Sequence, residues 1–116
     1  MTPQQIIRNL RRDNIAAESW QTGGGCGAVG IALSTDLYIL ITPNDGPWSY
    51  GDEETDYGDE WSISVYSDEH DGWVDSNLQP FGTTILSGHE VTPAVNRIMG
   101  LGQRDLTREI LAASDI

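Results

Sequence analysis

Residues Gly27–Thr42 read GAVGIALSTDLYILIT. Val29, Ile31 and Leu33 alternate onto one face of the first half, and Leu37, Ile39 and Ile41 onto one face of the second. Between them lies Ser34-Thr35-Asp36, a short polar break of residues that tolerate turns. Two alternating apolar runs separated by so short a break predict a β-hairpin. Either strand alone would leave an apolar face in water, so the hairpin requires a covering layer, and the flanking sequence has to supply it.

Upstream, Thr2-Pro3-Gln4-Gln5 has the form of a helix start: Thr2 can cap, Pro3 suits the first helical position, and Gln5 can return the capping-box bond. Ile6, Ile7 and Leu10 form the apolar stripe of that helix. Ile15-Ala16-Ala17 reads as a second helical segment running towards Trp20, ended by Gly23-Gly24-Gly25.

Downstream, Pro43-Asn44-Asp45-Gly46-Pro47 is a turn, and Trp61–Tyr66 alternates as a third strand. Trp61, Ile63 and Val65 lie on its covered face, and Ser62, Ser64 and Tyr66 on a face expected to be solvated. Trp73-Val74, after the Asp71-Gly72 turn, and Thr83–Ser87 are short strand candidates. Thr92-Pro93 repeats the cap-plus-proline start ahead of Val95, Ile98 and Met99, with Gly100 as the stop, and Asp105 can cap a last helix carrying Leu106, Ile110 and Ala113. The expected fold is α+β in a single domain, 1–116. It has an N-terminal helix, an antiparallel sheet of three to five strands built on the hairpin, and two short C-terminal helices on one sheet face.

Charge narrows the function. The chain of 116 residues carries 18 acidic and 6 basic side chains, a formal net charge of −12, and every basic residue is arginine. Phosphate affinity rests on Lys and Arg contacts, so neither nucleic acid nor an anionic membrane is an expected direct partner. The single cysteine cannot form an internal disulfide, and no apolar run reaches the ~18 residues of a spanning helix. A cytoplasmic protein is therefore expected.

The charge is also segregated. Asp52–Glu60, DEETDYGDE, places six carboxylates in nine residues with no arginine among them, while every arginine falls in a predicted helical end. Neighbouring carboxylates there lie mostly within the Debye length of about 8 Å at physiological ionic strength and repel one another. Relief must come from helical arginines across the fold, from cations or from a partner. Trp48, Tyr50 and Tyr57 lie in or beside this stretch, and aromatic rings among carboxylates suit a surface that receives arginine. The expected partner-binding residues are thus Trp48, Tyr50, Asp52, Glu53, Glu54, Asp56, Tyr57, Asp59 and Glu60, facing a basic protein surface.

Other motifs carry less. Gly25–Gly30 matches G-x-G-x-x-G, but it runs into a strand where a dinucleotide site needs a helix N-terminus, so no cofactor is expected. Cys26 with His70 or His89 could serve a small enzyme, yet the spacing matches no nucleophile-and-base pattern and no catalytic residue is assigned. Ser67–Leu78 lacks the closing glutamate of an EF-hand, and no metal site is assigned there.

Taken together, Trp20, Gly23-Gly24-Gly25-Cys26, Tyr38–Thr42, Trp61 and Val65-Tyr66 resemble a type of small acidic protein found in bacteriophages and actinobacteria. The resemblance covers about the first two-thirds of the chain. It implies a phage or mobile-element origin, in line with the arginine-only basic residues, and the cytoplasm of a host cell as the site of action. It further implies an accessory protein that blocks a basic site on a host nucleic-acid-binding protein, as a DNA mimic or anti-defence inhibitor. The alternatives are a virion or assembly component, or a small Cys/His-dependent enzyme.

Overall fold

The computed structural model describes residues 1–33, 37–46, 48–67 and 83–100. Among the described residues it is an α+β protein with two helices and a six-stranded antiparallel sheet, one strand more than the three to five expected because a two-residue strand, Trp48–Ser49, joins it. Helix α1 spans Pro3–Arg12, and the strands follow as β1 (Glu18–Gly23), β2 (Cys26–Ala32), β3 (Leu37–Pro43), β4 (Trp48–Ser49), β5 (Glu60–Ser67) and β6 (Thr83–Ser87). A single 3-10 turn, Gly88–Glu90, then leads into helix α2, Val91–Met99. The strand order is β1-β2-β3-β5-β6, with the short β4 pairing with β2.

The central hairpin forms as its alternation predicts. β2 and β3 pair antiparallel with Val29 opposite Ile41 and Ile31 opposite Ile39, and β5 extends both rows with Ile63 and Val65. Paired residues share a face, so these six side chains make one apolar surface across three strands. All six are buried, in one cluster with Ile6, Ile7 and Leu10 of α1 and Val91 and Val95 of α2. The two helices therefore cover the same sheet face. Asn96 Nδ2 of α2 also donates to Asp13 Oδ2 at the end of α1 (2.8 Å).

Helix α1 starts as its sequence dictates. Thr2 Oγ1 accepts from Gln5 N–H while Gln5 Oε1 accepts from Thr2 N–H, completing the capping box. The helix ends before Asn14, whose φ of +62° turns the backbone out of the helical path. Helix α2 begins two residues earlier than the Thr92-Pro93 pattern implies: Val91 is its first residue and is buried, and its N-cap, Glu90, makes no side-chain capping bond. Gly100 ends it as expected, its N–H returning to the carbonyl of Asn96, whereas Met99 falls on the exposed side.

Three sequence expectations need correction. Residues leading to Trp20 are not a continued helix; Glu18–Gly23 is strand β1, paired with β2. Gly24 and Gly25, at φ +61° and +80°, form the two-residue hairpin turn that this pairing needs. Second, Trp48 does not rim a loop: it pairs opposite Gly27 through β4 and is buried in the core. Third, the opposite sheet face is not simply solvated, because Tyr38 and Ser64 are buried on it and Tyr38 stacks on Tyr66 at 5.5 Å. The hairpin break Ser34–Asp36, the candidate strand at Trp73-Val74 and the candidate helix from Asp105 lie outside the described residues.

Candidate functional site: the acidic ribbon

The acidic stretch follows β4 and ends where β5 begins, so strands fix both of its ends. Gly51 and Gly58, at φ +103° and +92°, make sharp bends that an L side chain would strain. Between them the chain lies as a ribbon against the start of α1. Gln4 N–H donates to the Glu53 carbonyl (2.9 Å), and Tyr57 N–H donates to the Met1 carbonyl (3.3 Å). At the far end Gly88 N–H donates to the Asp59 carbonyl (2.8 Å), and Asn44 binds Glu60 through both its backbone and its side chain.

The carboxylates divide into two groups by what they touch. Glu53 Oε1 accepts from Ser19 Oγ (2.7 Å) and from Gly51 N–H (3.2 Å). These bonds, the one from Ser19 foremost, hold its carboxyl below the usual glutamate range against the opposing effect of partial burial. Asp56 Oδ1 accepts from the Met1 α-ammonium (2.7 Å) and from Gly58 N–H (2.9 Å). The ammonium is the main reason that the Asp56 carboxyl is lowered. Asp52, Glu54 and Asp59 are exposed, the last with its side chain 94% accessible and 3.9 Å from the same ammonium.

Among the described residues, one cation that meets the ribbon is the α-ammonium of Met1, beside the helical arginines, cations and partner that the sequence left open as sources of relief. Arg11 instead donates through Nε to the Ala17 carbonyl (3.0 Å), steadying the turn into β1. Neither Met1 nor Ser19 was legible as a ribbon contact. No local pattern links residues 55 or 34 positions apart. The one available signal was the demand for a countercharge.

The aromatic residues separate likewise. Tyr50 is 49% exposed, and its N–H is tied to the Gly25 carbonyl at the first hairpin turn (2.8 Å). Tyr57 is half-buried against the core and tilted towards Trp48 at 6.4 Å. Trp48 itself presents no surface to a partner. It contacts Trp61 edge-on, and its indole N–H, resting over Gly27, finds no hydrogen-bond partner among the described residues. The outward surface thus includes Tyr50, Asp52, Glu54, Asp56, Asp59 and Glu60, of which Asp56 and Glu60 are also held by internal bonds, while Glu53 and Tyr57 are half-buried.

Cys26 is half-buried at the start of β2, paired opposite Gly23 and Ser49, while His89 is exposed in the 3-10 turn. His70 lies outside the described residues. Among the described residues no group of three or more His, Cys, Asp or Glu side chains is placed to hold a metal ion, and no helix is long and apolar enough to cross a membrane. The chain matches no protein-family model, and no curated protein or solved structure is significantly similar to it.

Proposed function

We propose that this is a binding protein whose ordered acidic ribbon engages a basic site on another protein. The occupant we favour is the phosphate-binding surface of a host nucleic-acid-binding protein, blocked by carboxylates standing where phosphates would lie. The observation that carries the reading is the division of the ribbon. Glu53 and Asp56 are spent on internal bonds, while Asp52, Glu54 and Asp59 point their charge outward beside exposed Tyr50. A ribbon already fixed in place loses little conformational entropy on binding, and its field steers a cationic partner towards it. A phage-type accessory role in the host cytoplasm fits this chemistry and the arginine-only basic residues.

The test is capture from a bacterial lysate at low and high salt, comparing the parent with Asp52→Asn/Glu54→Gln/Asp59→Asn. Asp52 and Glu54 make no hydrogen bond or ion pair described within the ribbon, and Asp59 has only its 3.9 Å contact with the α-ammonium, which Asp56 holds more closely, so the variant should fold as the parent does. The reading expects a salt-sensitive partner held by the parent and released by the variant, with a slower on-rate and a flatter salt dependence. Equal capture of the same partner by both proteins would leave the ribbon as a solubilising surface.

A further inference from the structure

The ribbon is joined to three separate parts of the fold: Gln4 of α1 to the Glu53 carbonyl, Met1 to Tyr57 N–H, and Gly88 of the 3-10 turn to the Asp59 carbonyl. Two side-chain ties reinforce them, Ser19 to Glu53 and the Met1 ammonium to Asp56. The ribbon also completes the N-terminus of α1. An α-helix leaves its first backbone donors unsatisfied. Here Pro3 has none, Gln5 N–H goes to Thr2 Oγ1, Ile6 N–H goes to the Thr2 carbonyl, and Gln4 N–H is met only across the fold, by Glu53.

These ties alternate along one short run. Glu53 and Asp56 lie three residues apart in sequence, and Asp56 and Tyr57 are adjacent and both bind Met1, the first at its ammonium and the second at its carbonyl. Against them stand the mutual repulsion of the carboxylates and the slight core anchoring of the ribbon itself, where Tyr57 is the side chain packed on the core, whereas Met1, Pro3 and Ile6 on the other side of the ties are held by the core. A segment with few apolar contacts and solvent-facing backbone bonds opens well below the cost of global unfolding.

We propose that residues 52–59 form a single latch on the first turn of α1 that opens and closes as a unit, independently of the sheet. Opening it frees the acidic segment and leaves the Gln4 N–H of the helix without its acceptor, while the Thr2–Gln5 capping box stays in place. This inference rests on the internal bonds alone and stands whether or not the ribbon binds a partner.

Amide hydrogen exchange followed by NMR on the whole chain tests it. Gln4, Tyr57 and Gly88 amides should share one opening equilibrium, with faster exchange than Ile39 and Ile41 in the central strand. Ser19→Ala and Asp56→Ala each remove one side-chain tie. Each should speed all three amides by one common factor, roughly two- to fivefold for contacts this exposed, and leave the β3 amides unchanged. Acceleration confined to the amide nearest the severed tie would overturn the single latch. Equal exchange at the ribbon and at β3 would overturn it as well, by showing that the ribbon opens only when the whole fold does.

Discussion

Trp20 on β1 lies across Gly30 of β2, filling the space that a β-carbon at Gly30 would need. The indole is then tilted against Tyr38 at 5.9 Å, and Tyr38 stacks on Tyr66, so an aromatic row crosses the sheet on the face away from the helices. On the opposite face of the same strand Gly27 receives Trp48 in the same manner. Strand β2 thus seats one tryptophan on each of its faces, and each seat is a glycine.

Gly30→Ala should destabilise the protein by about 1–3 kcal/mol, the usual cost of forcing extra volume into a packed contact. Trp20→Ala should be destabilising on its own account, yet in the double variant the alanine methyl no longer meets an indole. The two changes should therefore cost less together than their sum, as chemical denaturation of all four proteins in a double-mutant cycle will read. Strict additivity would mean that Trp20 does not occupy the seat.

Ile39→Ala should cost about 2–5 kcal/mol. Ile39 is fully buried on the central strand, paired with Ile31 on one side and Val65 on the other, beneath both helices. An unchanged denaturant midpoint would place the core elsewhere.

Acid should loosen the ribbon before it unfolds the sheet. Glu53 and Asp56 both have carboxyls lowered in the folded state. Groups of this kind add stability that is full above the unfolded values, about 4.3 for glutamate and 3.9 for aspartate, and that fades as pH falls through the lower folded values. Stability should thus decline below about pH 4, and Ser19→Ala, which removes the main cause at Glu53, should reduce that decline. A decline of the same size in Ser19→Ala would exclude Glu53 as its source.

Cys26→Ser should fold normally with a cost below about 1 kcal/mol, because a half-buried position at a strand start gives the hydroxyl access to water. The same variant should capture the same partner as the parent. A folded but inactive Cys26→Ser protein would return attention to thiol chemistry.

The hairpin, the third strand and the first helix cap were legible because each is a local pattern. Alternation fixed the core face of β2, β3 and β5, and Thr2 with Gln5 fixed the start of α1. Strand β1 was not, because Glu18–Gly23 is an edge strand whose residues are half-exposed, with no clean alternation to distinguish it from the preceding Ile15-Ala16-Ala17. The signal for it is Gly24-Gly25, a dipeptide that suits a two-residue hairpin loop as well as a helix end. Trp48 was misplaced for a related reason. A two-residue strand has no period, and its burial depends on the glycine seat at Gly27, which no local pattern announces. In the ribbon, the sequence showed the excess of charge but not which carboxylates are held internally, since that depends on contacts with residues far away along the chain.

The docking of the chain's first residue against Asp56, 55 positions later, orders events during synthesis. At about 5–20 residues per second, α1 leaves the ribosome roughly 3–10 s before the residues that complete its cap. The β1-β2 and β2-β3 hairpins need only neighbouring segments and close within microseconds once exposed. Helix α1 is therefore made well before the residues that meet its Gln4 N–H and the Met1 ammonium, and it waits as a half-apolar segment while the sheet that will receive it is assembled. If the Met1–Asp56 pair also forms after the folding transition state, cutting it should quicken unfolding and leave the refolding rate as it was.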